Sequence, residues 1–381
     1  MRPILSRLPD TGTSIFAIMS KMAAEQGAIN LSQGFPDFQV DSVLIDLIHR
    51  FMKEGHNQYA PMPGTPALRT IVADVVSKTY NRTINAETEI TVTAGGTQAL
   101  FASIAAFIHP GDEVLVFDPA YDSYNPAIRL NGGVPVHINL TYPDFSIDWN
   151  LVKSKITPRT RLIMINTPHN PSGAVLTVAD LKHLEKVADE NDLIVLSDEV
   201  YERIIFDGIR HESVLHYPKL AARSVAVFSF GKTFHATGWK VGYTVAPEEL
   251  TREIRKAHQF ITFSVNTPVQ LALAEYMKEP QHYLNLGKFY QTKRDYFLEG
   301  IKGSSFEPIA CHGSYFQTLS YRAISSLPDR QMSEELTVKH KVASIPVSVF
   351  YNDKTDNHLL RFCFAKNEQT LDKAMEILRR L

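Results

Sequence analysis

Most of the features that mark out whole classes of protein are missing from this sequence. Cysteine is nearly absent: only Cys311 and Cys363 occur in 381 residues, too few and too far apart for a disulfide framework or a thiolate metal site. No metal is therefore expected, and a reducing cytoplasm is the natural compartment. Neither sign of charge dominates, with 39 basic against 41 acidic residues and a net charge of −2. Without a long basic run, nothing points to a nucleic-acid or anionic-membrane surface. Small neutral or zwitterionic ligands fit better. The longest apolar stretch, Leu100 to Ile108, falls far short of the roughly 20 residues that cross a bilayer. Met1-Arg2-Pro3-Ile4-Leu5-Ser6 holds no apolar stretch of signal-peptide length. Internal repeats and low-complexity segments are also lacking.

What remains is 44% apolar and 21% charged, enough to bury a large core in one large domain with a smaller one beside it. Ile15, Ile18, Met19 and Met22 repeat at helical spacing until Gly27, and Ile29-Asn30-Leu31 starts an extended segment. This is read as an N-terminal arm. Thr65 is placed as a helix N-cap with Pro66 at the first helical position, and Leu68, Ile71, Val72, Val75 and Val76 make one apolar stripe.

From residue 90 strands and helices alternate. Strands are predicted at 90–93, 114–117, 162–165, 193–196, 225–228 and 241–245, with helices through Leu100 to Ile108 and between Ala179 and Glu190. Such alternation predicts an α/β fold, a mostly parallel sheet with helices on both faces. Ligands of such sheets sit outside the carboxyl ends of the strands. The ends deliver Gly95-Gly96-Thr97, then Asp118 to Tyr121, Asn166 to Pro171, Ser197 to Tyr201, and Ser229 with Lys232. Each has a bland reading: Gly95-Gly96 as a tight turn, Asp198 as a turn cap, Asn170 before Pro171 as a turn initiator, Tyr121 as core. Glycines that open a helix also leave backbone N–H groups free for an anion, and an aromatic ring beside them can stack on a flat ligand.

Ser229 to Gly242 reads as a strand, an exposed turn and a second strand, gathering Ser229, Lys232 and Lys240 near one strand end. A serine hydroxyl and an ammonium group suit a phosphate. If Lys240 holds one, Lys232 in an apolar, cation-flanked position has a lowered pKa and can attack a carbonyl to form a Schiff base. Gly231-Lys232-Thr233 also ends like a P-loop, but residue 226, where that motif begins with glycine, is Ala226. His211 and His216 are five residues apart rather than four, so they do not share a helical face for a metal. Beyond about residue 280 the pattern becomes a smaller α+β unit. There Arg361 interrupts the apolar strand Leu359 to Phe364. A buried guanidinium needs an anion, either an internal carboxylate or a bidentate substrate carboxylate.

In order and spacing, Gly95-Gly96-Thr97, Asn166-Thr167-Pro168-His169-Asn170-Pro171, Asp198-Glu199-Val200-Tyr201, Ser229-Phe230-Gly231-Lys232-Thr233, Gly238-Trp239-Lys240-Val241-Gly242 and Arg361 resemble the fold type I PLP-dependent aminotransferases of class I and II. The resemblance spans nearly the whole chain. Gln33 to Phe38 and Arg361-Phe362-Cys363-Phe364 are most similar to the kynurenine aminotransferase and glutamine transaminase K branch, bacterial methionine aminotransferases above all. His169 departs from the asparagine that many relatives carry, and it receives no catalytic role.

The resemblance implies pyridoxal 5′-phosphate as cofactor and a ping-pong transfer of an amino group to a 2-oxo acid. Lys232 holds the cofactor and moves the proton, Asp198 keeps the pyridine nitrogen protonated, and Asn170 and Tyr201 bond the ring oxygen. Tyr121 stacks on the ring, while Gly95, Gly96, Thr97, Ser229 and Lys240 form the phosphate site. Arg361 fixes the substrate carboxylate, with Asn170, Gly34 and Phe16 lining the substrate pocket. It further implies a homodimer with shared active sites, Tyr59 reaching the partner's phosphate and residues 264–268 near the interface. The implied division is an arm, 1–40, joining the small domain; a large cofactor-binding domain, 41–280; and a small domain, 281–381. Residues 264–268 hold no arginine or lysine, so a second carboxylate such as aspartate's has no partner. Ile15, Phe16, Tyr59 and Tyr121 as walls favour methionine, then phenylalanine, tyrosine, glutamine or kynurenine. A cysteine-conjugate β-lyase using the same lysine is the alternative, and a non-enzymatic regulator on this fold, which would carry a DNA-binding domain, comes third.

Overall fold

The computed structural model describes residues 2–381. Its largest sheet has seven strands, in the order Ile90–Thr93, Gly242–Val245, Ser224–Ser229, Ile194–Asp198, Thr160–Asn166, Glu113–Asp118 and Val134–Asn139. All neighbours run parallel except the Gly242–Val245 strand, which is antiparallel to both of its partners. The reason is the connection that precedes it. A parallel return needs a crossover helix, and residues 230–241 form only a one-turn helix, Phe230–Thr233, and a 3₁₀ turn, Thr237–Trp239.

Burial on both faces follows from strands that are apolar at every position. Leu115, Ile163, Val195 and Ala226 face Val72, Leu184 and Val187 on one side. Val116, Met164, Leu196 and Val227 face Leu100, Ile104 and Ile254 on the other. The sequence reading missed Val134–Asn139 because it is a half-exposed edge strand, where Pro135 is tolerated and the apolar run is weak.

A second core gathers Tyr290, Phe297, Phe316, Leu360, Phe362, Leu371 and Leu378 around a four-stranded antiparallel sheet. In that sheet Arg361 pairs with Thr318 on one side and Ile345 on the other. The N-terminal helix Ile15–Gln26 is capped by the Ser14 side chain, which accepts from the Ala17 N–H, and ends at Gly27 with φ 59°. Its following strand, Ile29–Asn30, pairs with Val342–Ala343, which carries Gln33 and Gly34 to the carboxyl ends of the large-sheet strands. Thr65 and Pro66 start the helix to Tyr80 as expected.

Candidate active site

Five strand ends of the large sheet open into one cavity of about 300 Å³. Its walls include Gly95, Gly96, Thr97, Tyr121, Asn170, Asp198, Tyr201, Ser229, Lys232 and Lys240, with Phe16, Gly34 and Arg361 arriving from the arm and the small sheet. Of the residues expected at the site, Tyr59 and Ile15 lie elsewhere. Tyr59 is 83% exposed, edge-on to Phe263 at 5.4 Å, in a surface groove with residues 264–268. Ile15 packs beside Met19, Ile345 and Phe350 instead of lining the cavity.

The segment after Ser229 is not one exposed turn. Phe230, Gly231, Phe234 and Ala236 are buried while Gly238 and Lys240 are exposed, because the stacked rings of Phe230 and Phe234 anchor the segment in the core. That anchoring aims Lys232 into the cavity. Burial lowers its pKa to about 8, with the positive charges of Lys240 and Arg361 acting in the same direction. Its amine donates to the Tyr315 hydroxyl at 2.6 Å and to the Gly34 carbonyl at 3.5 Å.

Asp198 ends its strand with 4% exposure. Burial raises its pKa to about 6, against the opposing hydrogen bonds from Tyr124 and the Val200 N–H. The Tyr124 hydroxyl donates to it at 2.6 Å, and the Asn166 side chain donates to its carbonyl at 2.9 Å. Arg361 is 1% exposed and has no carboxylate within ion-pair distance among the described residues. It donates to Asn170 Oδ1 at 2.7 Å and the Ser32 carbonyl at 3.0 Å, and its Nε is buried without a partner. The Phe316 ring lies 3.8 Å from its guanidinium carbon and Phe16 at 5.2 Å. An internal carboxylate is therefore not what Arg361 was waiting for. Leaving such a cation unpaired costs several kcal/mol, and a bound anion recovers it.

The Gly96–Phe107 helix starts at this cavity with no side-chain cap on its first turn. Gly95 has φ 83°, and a Cβ on Gly96 would come 2.9 Å from Val200. Glycine at these two positions leaves the first backbone N–H groups of the helix open to an anion. His169 donates or accepts at both ring nitrogens within the fold, to Ser172 and to the Pro119 carbonyl, and burial lowers its pKa to about 4. Both ring nitrogens are thus taken up within the fold.

Residues 26–378 match the family model for aminotransferase class I and II. The chain belongs to that family. It is 49% identical to the methionine aminotransferase of Escherichia coli, over 99% of this chain and 98% of the other. It is 31% identical to human kynurenine–oxoglutarate transaminase 1, over 94% of each. An E. coli structure whose reactivity identified a methionine aminotransferase function superposes with a TM-score of 0.97 over all of both chains, and N-succinyldiaminopimelate aminotransferase from Mycobacterium tuberculosis gives 0.95 at 34% identity over 99% of this chain.

This class I/II aminotransferase is thus a PLP-dependent transferase of fold type I. Its cavity fits the cofactor: an uncapped helix start beside Lys240 for a phosphate, a buried carboxylate for a pyridinium, and a lysine of lowered pKa for an aldehyde. Two residues beside this cavity escaped the sequence reading, Tyr124 and Tyr315, each bonded to a residue that had been singled out, Asp198 and Lys232; Asn166, which opens the 166–171 motif, had been given no role and donates to the Asp198 carbonyl.

Proposed function

We propose that this aminotransferase takes the amino group from methionine, and next from phenylalanine, tyrosine, glutamine or kynurenine, and passes it to a 2-oxo acid. The observation that carries this reading is the charge inventory of the cavity. Its cations are Lys232, Lys240 and Arg361; with Lys232 reserved for the aldehyde and Lys240 for the phosphate, Arg361 is left to hold one carboxylate. A second carboxylate would face Phe16, Tyr121 and Phe316, at a penalty of about 3 kcal/mol or roughly a hundredfold in specificity. A thioether or an aromatic ring meets the same walls favourably. The name of the E. coli relative supports methionine in particular.

In this mechanism Gly95, Gly96, Thr97, Ser229 and Lys240 bind the phosphate. When bound, the cofactor supplies an aldehyde carbon that condenses with amines and a ring that takes up the electron pair released at Cα. Lys232 would hold the cofactor through its amine and, once released from it, would be the base that takes the proton from the substrate Cα. Asp198 keeps a proton on the pyridine nitrogen. Asn170 has Oδ1 occupied by Arg361, so its NH₂ is available to the ring oxygen, with the Tyr201 hydroxyl. Tyr121 would cover the ring, and Arg361 would hold the substrate carboxylate in the cavity that Lys232 also lines.

The functional unit in this reading is a cytoplasmic homodimer with shared sites. Phe260 at 86% exposure, Tyr59 at 83% and the half-exposed Met52 and Phe263 form an apolar surface that a second copy covers. Tyr59 then belongs to the partner's phosphate site. Among the described residues no helix is long and apolar enough to cross a membrane. We divide the chain into an arm, 1–40, a large domain, 41–280, and a small domain, 281–381, in line with the two cores and the pairing of the arm with Val342–Ala343.

Steady-state kcat/KM for these donors against several 2-oxo acids tests the reading. Methionine should exceed aspartate by about a hundredfold; aspartate as an equal donor refutes the pocket assignment. Pyruvate and ammonia released from a cysteine conjugate without an acceptor would measure the β-lyase alternative.

A further inference from the structure

Lys232 has to serve as a base whenever it is not attached to the cofactor, which requires a neutral amine with its lone pair free. A neutral amine has two N–H donors, and an ammonium group has three. Among the described residues two acceptors meet Lys232 Nζ, the Tyr315 hydroxyl at 2.6 Å and the Gly34 carbonyl at 3.5 Å. The Tyr315 O–H in turn donates to the same Gly34 carbonyl. The Tyr201 hydroxyl is a further neighbour of that O–H; with the proton donated to the Gly34 carbonyl, the phenol oxygen faces the lysine as an acceptor. Tyr315 is wholly buried, edge-on to Tyr201 at 5.1 Å and against Tyr290 at 5.7 Å, so its ring cannot turn away. Burial also keeps its phenol protonated. The groups surrounding the amine are Tyr201, Asp198, Cys363, Lys240 and Arg361; none of them is hydrogen-bonded to Nζ.

We propose that Tyr315 is a positioning residue for Lys232: with the Gly34 carbonyl it takes up both N–H bonds of the free amine and so leaves the nitrogen lone pair directed at the reacting carbon. The inference rests on Lys232 being the lysine that carries the cofactor. It adds a second job for the segment around Gly34. That backbone lines the substrate pocket and also fixes the hydrogen-bond direction of the tyrosine that holds the base.

The test is Tyr315→Phe, with Tyr290→Phe as the control that removes a buried neighbouring hydroxyl without touching Nζ. In Tyr315→Phe, kcat should fall on the order of tenfold to a hundredfold while KM stays within about threefold, because binding is intact and the base is misdirected. A readout independent of turnover is the reactivity of Lys232 in the cofactor-free protein, followed by acylation against pH and mass spectrometry. In the wild type Lys232 should be half-reactive near pH 8, the value to which burial brings it. In Tyr315→Phe that midpoint should move down, since the ammonium form loses the stronger hydrogen bond. Tyr290→Phe should keep the wild-type midpoint and kcat.

A folded Tyr315→Phe with wild-type kcat and midpoint overturns the proposal, as does an equal loss in Tyr290→Phe. If Tyr315→Phe does not fold, the wild-type curve decides: a midpoint above pH 10 would mean that the amine is not held in its neutral form. Lys232→Ala keeps the two readings apart. Normal turnover in that variant removes the cofactor assignment itself, whereas an inactive Lys232→Ala beside an unaffected Tyr315→Phe removes the Tyr315 role alone.

Discussion

The Asp198 carboxyl is raised by burial from an ordinary 3.8 to about 6. At about 1.4 kcal/mol per pH unit, the ionised carboxylate therefore costs the cofactor-free fold about 3 kcal/mol at neutral pH. Asp198→Asn removes the charge while preserving the shape, and Tyr124 can still donate to the amide oxygen. The cofactor-free variant should be more stable than the wild type by about 1–3 kcal/mol at pH 7.5, the lower figure allowing for a weaker bond to Tyr124. The sign follows from a folded pKa that lies above the unfolded one. Stability due to the protonated carboxyl is complete below about pH 3.8 and is lost as pH rises through 6, so the advantage of the variant should shrink between pH 6 and pH 4. With roughly 2 cal/mol/K of unfolding entropy per residue, the expected gain in Tm is about 1–4 °C. In the holoenzyme the order should reverse in function: turnover should fall by about a hundredfold or more with cofactor occupancy nearly kept, because the pyridinium proton loses its counter-charge. Thermal unfolding of both cofactor-free proteins from pH 4.5 to 8, with turnover and occupancy of the loaded ones, gives all these numbers. A variant less stable than the wild type at pH 7.5, or a gap that widens toward acid, refutes the claim that Asp198 is held ionised at the expense of the fold.

Arg361→Gln should lower kcat/KM for methionine about a hundredfold to a thousandfold, and the deficit should disappear for the corresponding amine without a carboxylate. An equal loss with both substrates would show a general disturbance of the cavity. Tyr124→Phe removes a hydrogen bond that favours ionised Asp198, so the acid limb of the rate profile should move to higher pH; an unmoved limb separates Tyr124 from the cofactor chemistry. Gly96→Ala brings a Cβ to 2.9 Å from Val200 and should weaken cofactor binding about tenfold, or about 1.4 kcal/mol, with kcat near normal at saturating cofactor. Unchanged affinity, measured by fluorescence titration, would take the helix start out of the phosphate site.

Much of this enzyme could be read directly from local chemistry. Lys232, Asp198 and Asn170 follow the ends of apolar strands and Arg361 stands inside one, which puts them on one rim, while the role of each came from the resemblance to the aminotransferases. The parallel sheet could be found because a strand buried on both faces must be apolar at every position. Edges and reversals were less visible. Val134–Asn139 is half-exposed, and the antiparallel strand at Gly242 owes its direction to a connection too short for a crossover. The sequence alone left Arg361 with two candidate anions; the fold decided between them by surrounding it with Asn170, the Ser32 carbonyl and the Phe316 ring, with no carboxylate at ion-pair distance among the described residues and Asp122 acting only from farther off. Tyr124 and Tyr315 could not be assigned from the chain at all. Tyr124 stands 74 residues from the carboxylate it bonds and Tyr315 stands 83 from Lys232. A buried phenol acquires a role only from the one atom its hydroxyl meets, and that meeting is made by tertiary packing.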